Sequence, residues 1–234
     1  MQLLLISNST NAGEPYLEWP LEEIAGFLKG IKRVLFIPYA GVTFSHDDYV
    51  AKVQKQFDKF GVEVEGIHRL IDPRAGVMRA EAIVVGGGNT WRLLQLMQQS
   101  DLVEAIRHRA LEGVPYVGWS AGSNVACPTI KTTNDMPIVE PQGFDAFGLI
   151  PFQINPHYLD TKPTGHGGES REDRILEFIA VNPYSYVMGL REASLLEVRS
   201  GQIALRGKHP ARIFRHGQPA REVQPGEDLS FLLQ

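Results

Sequence analysis

Leu3, Leu4, Leu5 and Ile6 form an unbroken apolar run that stops at the polar pair Ser7-Asn8. A run this short, ended by polar residues, predicts a strand over Gln2–Ser7 that is buried on both faces. The period then changes. Leu17, Leu21, Ile24, Ala25 and Leu28 fall on one helical face. Arg33–Pro38 predicts a second buried strand around Val34, Leu35, Phe36 and Ile37, and Tyr49, Val53, Phe57 and Phe60 predict the next helix. Val62–Ile67 and Ala82–Val85 read as strands. Leu93, Leu94 and Met97 mark one helix, and Leu102, Ile106 and Leu111 another. Pro115-Tyr116-Val117 is again an apolar run, followed by a helix-like stretch over Ser123–Cys127.

Residues 128–141 read as a long irregular loop. A short strand over Phe152–Ile154 ends at Asn155-Pro156-His157. Ile175, Phe178 and Ile179 predict one more helix, and Tyr184–Leu190 one more strand. Beyond these the pattern turns to short strands joined by glycine turns: Leu195–Val198, Gln202–Leu205 and Arg212–Phe214. Alternating strands and helices predict an α/β fold: a mostly parallel sheet with helices on both faces. The β-rich tail is expected to extend one sheet edge or cap one end.

Length and charge narrow the class. A chain of 234 residues that is 43% hydrophobic can bury a sizeable core, and residues 1–234 are expected to form one domain. A net charge of −4, without a clustered basic stretch, argues against nucleic acid as a partner. No apolar run approaches the roughly 20 residues needed to cross a bilayer, so no membrane association is expected. The lone Cys127 excludes an internal disulfide and fits a reducing, cytoplasmic setting. Monomer and homodimer both remain open.

The most informative residues are Gly118-Trp119-Ser120-Ala121-Gly122. They sit between a predicted strand and a predicted helix. A G-x-S-x-G turn in that place is a nucleophile elbow: the glycines relieve crowding while a strained backbone presents the serine. A serine hydroxyl is a weak nucleophile at neutral pH, so it needs a base and a group that orients that base. Of the 7 histidines, His157 stands out. Like Ser120 it follows the C-terminal end of a strand, where open α/β sheets assemble their sites. The two can meet if their strands are neighbours. His46 sits in a loop, and His68, His108, His209 and His216 read as surface residues.

Glu192, after the strand Tyr184–Leu190, and Asp135, in the loop beyond the elbow, are the candidate orienting carboxylates. The strand-end argument applies to Glu192, but sequence position alone does not settle which of the two supports His157. Acyl transfer also needs donors aimed at the developing oxyanion. The backbone N–H of Ala121 is one. Gly88 is a second, because Gly86-Gly87-Gly88-Asn89-Thr90 closes a strand and opens a helix. The same loop lacks the last glycine of G-x-G-x-x-G, where Trp91 stands, and it has no Walker lysine. No cofactor is expected. A metal site built from His157, His166 and Glu169 is not expected either, because no HExxH motif is present.

Several stretches in order resemble the peptidase E family of α-aspartyl dipeptidases. They are Leu3–Thr10 (LLLISNST), Phe36–Thr43 (FIPYAGVT), Val84–Thr90 (VVGGGNT), Gly118–Ala126 (GWSAGSNVA), Thr132–Val139 (TTNDMPIV), Gln153–His157 (QINPH) and Gly165–Arg171 (GHGGESR). The resemblance covers nearly the whole chain. It implies a fold similar to class I glutamine amidotransferase domains, with a flavodoxin-like core and serine in place of the usual elbow cysteine. It also implies a cytoplasmic serine dipeptidase acting on Asp-Xaa dipeptides. Ser120 is then the nucleophile and His157 the base, with Glu192 orienting His157 directly and Asp135 supporting the site. Arg171 matches the position that holds the aspartyl side chain. The stretch Arg191-Glu192-Ala193 departs from the proline- and glycine-containing version associated with the family.

Three other readings compete. A cyanophycinase-like hydrolase would cleave an aspartyl polymer with the same serine. An α/β-hydrolase esterase would use Ser120, Glu192 and His209, but no HGGG-type loop supports it. A small-molecule sensor would use the fold without turnover.

Overall fold

A computed structural model describes residues 1–160, 165 and 167–233. Two sheets form the frame of these described residues. The larger has seven strands: β1 (Gln2–Ile6), β2 (Arg33–Ile37), β3 (Glu63–Gly66), β4 (Ile83–Val85), β5 (Tyr116–Trp119), β8 (Ser194–Arg199) and β9 (Gln202–Gly207). Their order is β3-β2-β4-β5-β1-β8-β9. The first five run parallel, and β8 and β9 extend the edge antiparallel. The smaller sheet holds β6 (Gln153–Tyr158), β7 (Tyr186–Arg191), β10 (Ala211–Arg215) and β11 (Arg221–Val223) in the order β11-β10-β7-β6. Within it only β6 and β7 are parallel.

Among the described residues seven α-helices connect the strands: α1 (Leu21–Phe27), α2 (His46–Phe57), α3 (Pro73–Arg79), α4 (Thr90–Gln99), α5 (Leu102–Leu111), α6 (Ala121–Asn124) and α7 (Arg171–Val181). Side chains alternate across a strand, and the large sheet divides its core accordingly. Leu4, Ile6, Val34, Phe36, Val84 and Val117 pack with Ile24 of α1 and Val53 of α2. Leu3, Leu5, Leu35, Ile37, Ile83 and Val85 face the other way, toward α3, α4, α5 and the inner residues of the small sheet. Helices therefore cover both faces, and strands buried on both sides need the continuous apolar runs that the chain provides. Among the described residues no helix is long and apolar enough to cross a membrane.

The structure departs from the sequence pattern in several places. The strand carrying His157 is not in the sheet that carries Ser120. Pro156 sits within β6, which runs on to Tyr158 through a register irregularity. The tail divides: β8 and β9 join the large sheet, whereas β10 and β11 join the small one. Leu17 lies outside α1 with a φ of +55°, and Phe60 ends a 3-10 turn after α2. The helix α3 buries only Gly76 and Val77, too little for a readable apolar stripe.

Candidate active site

The elbow follows from close packing. β5 ends at Trp119, Ser120 adopts φ 54° and ψ −112°, and α6 starts at Ala121. A Cβ on Gly118 would lie 2.3 Å from the Gly122 carbonyl oxygen, and one on Gly122 would lie 2.2 Å from the Val85 carbonyl oxygen. No side chain fits at either place, so the turn folds back on itself and on β4 only with glycine. The Ser120 N–H donates to the Ile6 carbonyl at 2.9 Å, tying the elbow to the end of β1.

His157 arrives from the small sheet. It has a φ of +54°, a left-handed conformation at the irregularity in β6 that turns its ring toward the elbow. Its Nε2 lies 2.9 Å from Ser120 Oγ, and its Nδ1 lies 2.7 Å from Glu192 Oε1. An ionised carboxylate only accepts, so Nδ1 carries a proton toward Glu192 and a neutral ring presents the Nε2 lone pair to the hydroxyl. This is the hydrogen-bond order required of a nucleophile, its base and the group that orients the base. Glu192 follows directly on Arg191, the last residue of β7, beside β6.

Asp135 makes no hydrogen bond with His157. Its Oδ2 accepts from the Thr90 N–H at 2.8 Å, from Thr90 Oγ1 at 2.6 Å and from Thr133 Oγ1 at 3.1 Å. The Trp91 indole donates to the Asp135 carbonyl at 3.1 Å. A carboxylate here complements the N-terminal end of α4, whose cap Asn89 accepts from the Arg92 N–H at 3.0 Å. Asp135 thus fixes the end of the loop that contains Gly88.

That loop abuts the elbow, because a Cβ on Gly87 would lie 2.9 Å from Ser120 Cβ. Gly88 itself has a φ of +135°, and a Cβ there would lie 2.2 Å from the Ala40 carbonyl oxygen. Among the described residues, neither the Gly88 nor the Ala121 N–H has a hydrogen-bond partner.

A cavity of about 320 Å³ lies in front of Ser120. Ala121, Asp135, His157, Arg171 and Glu192 line it, together with Thr90, Thr133, Asn134, Pro156 and Leu159; Gly88 stands outside this lining. Arg171 is the first residue of α7, held by a capping box between Ser170 and Asp173. Burial pushes its pKa below the usual arginine value, Arg174 adds to this, and Asp135 opposes it. Arginine stays protonated regardless. Among the described residues no carboxylate forms an ion pair with it.

The remaining histidines are elsewhere. His46 and His68 meet edge to face at 5.3 Å between ring centroids, and His68 pairs with Asp47 at 3.0 Å. His108 pairs with Glu112 on the surface of α5. His209 lines a second cavity behind Glu192, so His157 and not His209 reaches the serine. His166 lies outside the described residues.

Residues 3–206 match peptidase family S51, a span that holds every residue of the site. The chain belongs to peptidase family S51. A peptidase E of Nostoc sp. is 46% identical over 234 residues, covering 100% of this chain and 97% of the relative. A peptidase E of Salmonella typhimurium is 47% identical over 226 residues, covering 97% and 99%. The crystal structure of a peptidase from an acI-B1 Actinobacterium shares the fold, with a TM-score of 0.72 at 22% identity, over 98% of this chain and 96% of the other. The S51 chain described here is a serine peptidase.

Sequence reasoning passed over Thr90, Asn134 and the Ser7-Asn8 pair, all of which touch the site or its supports. Ser7 and Asn8 had a signal: polar residues directly after a buried strand, at the strand end where sites assemble.

Proposed function

We propose that this S51 peptidase hydrolyses dipeptides with an N-terminal aspartate through an acyl-enzyme on Ser120. The observation that carries the reading is the chain Ser120 Oγ, His157, Glu192, at 2.9 and 2.7 Å, opening into the cavity that Arg171 lines. His157 takes the hydroxyl proton as Ser120 Oγ attacks the peptide carbonyl. The Ala121 and Gly88 N–H groups, both without partners among the described residues, receive the oxyanion. The imidazolium then protonates the leaving amine. Water, deprotonated by His157, releases the acyl group and restores the serine.

Arg171 supplies selectivity in this reading. A half-buried guanidinium with no carboxylate partner among the described residues favours an anionic substrate group, and its planar fork suits a carboxylate. Asp135 supports the site through Thr90 and the Gly88 loop and makes no hydrogen bond with His157. The peptidase E relatives are consistent with dipeptide substrates, and the single cysteine with a cytoplasmic setting.

The test is a panel of Asp-Leu, Asn-Leu, Glu-Leu and Ala-Leu incubated with the purified protein, with free amino acids measured. Asp-Leu is expected to be cleaved fastest. Equal cleavage of Asp-Leu and Asn-Leu would remove the aspartyl carboxylate from recognition.

A further inference from the structure

Three backbone positions at the site are left-handed without being glycine: Ser120 at φ 54°, His157 at φ 54° and Ala193 at φ 56°. Such conformations are costly for residues with a Cβ and persist only where the surroundings hold them. The surroundings here are three consecutive residues at the end of β1. The Ser120 N–H donates to the Ile6 carbonyl at 2.9 Å. The His157 N–H donates to the Ser7 hydroxyl at 2.9 Å. The Ala193 N–H donates to the Asn8 side-chain carbonyl at 2.8 Å. Each strained segment carries one member of the hydrogen-bonded chain or its immediate neighbour.

Ser7 does more than accept. Its hydroxyl donates to the Leu190 carbonyl at 2.7 Å, two residues before Glu192. Its own N–H donates to the Ser194 carbonyl at 3.0 Å, two residues after Glu192. One fully buried hydroxyl therefore ties the backbone of His157 to the strand that delivers Glu192. Asn8, also fully buried, is held in turn: its Nδ2 donates to Thr10 O at 2.9 Å and Asn11 Oδ1 at 2.8 Å. A hydroxyl that donates once and accepts once at this junction joins the end of β1 in the large sheet to β6 and β7 of the small one.

We propose that Ser7 and Asn8 are positioning residues for catalysis. They lock the strained backbone at His157 and Ala193, and so set the imidazole between Ser120 and Glu192. The inference rests on the proposed roles of those three residues. Neither side chain touches the cavity, and their effect reaches the reaction through His157 and Glu192.

A double-mutant cycle tests it. Ser7→Ala is expected to lower kcat on Asp-Leu by about 10²-fold, as misplacement of a catalytic group by about 1 Å does, with KM changed by less than about threefold. Once Glu192→Gln has removed the partner that the alignment serves, Ser7→Ala should cost less than about threefold further, because coupled residues are not additive. Losses that multiply across the two sites would show a merely structural role and overturn the proposal, as would Ser7→Ala with near-normal kcat. Full activity of Glu192→Gln alone would instead strike at the proposed role of Glu192, a distinguishable failure. Should Ser7→Ala not fold, Ser7→Cys fills the same space with a weaker hydrogen-bonding group and enters the same cycle, with a smaller expected loss.

Discussion

The carboxylate of Glu192 lies 2.7 Å from His157 Nδ1, although the two residues come from different strands, Glu192 directly after β7 and His157 next to last in β6. Pairing of these parallel strands, with Asn155 opposite Gly189 and Pro156 opposite Leu190, sets the two ends side by side. The contact fixes which ring nitrogen bears the proton, and so which faces Ser120. Glu192→Gln can donate to Nδ1 and so favours the wrong tautomer. Its kcat on Asp-Leu should fall about 10²- to 10⁴-fold, the upper figure matching the same change in a buried triad. A loss under threefold in steady-state kinetics would remove Glu192 from this role.

Arg171 should separate binding of the aspartyl group from the chemistry. Removing a charge-assisted hydrogen bond costs roughly 10²-fold. Arg171→Ala is therefore expected to lower kcat/KM for Asp-Leu by about that factor and for Ala-Leu by under threefold. Equal losses on the two substrates would show that Arg171 supports the fold of the site and does not select the substrate.

Much of this arrangement is legible in the chain. Runs such as Leu3–Ile6 and Val34–Ile37 mark doubly buried strands, because only a strand covered on both faces leaves no position for a polar residue. Ser120 and His157 both read as strand-end residues. The second sheet was not legible. Pro156 lacks an N–H and made β6 look as if it ended early, yet its backbone pairs with Leu190. β11 buries only Val223, too little for a pattern, and nothing in a strand's own sequence says which sheet it will join. Ser7 and Asn8 look like the start of a loop because their role depends on segments about 150 to 185 residues away.

Ala193 is a buried alanine held at φ 56°. Glycine adopts that conformation without the Cβ penalty of about 1–2 kcal/mol, offset by its greater freedom in the unfolded chain. The buried methyl group that the change removes is worth about 0.8 kcal/mol, so Ala193→Gly should change stability by less than about 1 kcal/mol, read as a nearly unchanged urea midpoint at unchanged m. A loss of more than about 2 kcal/mol would mean that no relief of strain offsets the lost methyl group and the added chain freedom.

Cys127 is fully buried, and burial lifts its thiol from an ordinary 9.0 to about 12. The Ile154 N–H donates to its sulfur at 3.1 Å and opposes that rise. Ellman's reagent at pH 8 should leave the native thiol untouched and react with one equivalent in urea. The sign of the linkage follows: the folded state holds the proton more tightly, so this contribution to stability is complete below pH 9.0 and is lost as pH rises toward 12. Cys127→Ala should flatten that part of the alkaline stability profile, and an unchanged slope would assign it to other groups.

The central claim is that the oxygen at position 120 makes and breaks the acyl bond. Turnover of Asp-Leu by Ser120→Ala tests it most directly, alongside a thermal melt that shows the variant folded. Residues that act as one unit lose nearly all their advantage together, so kcat should fall by about 10⁶-fold, to the limit of detection. A folded Ser120→Ala protein that still cleaves Asp-Leu within tenfold of the parent would contradict the account.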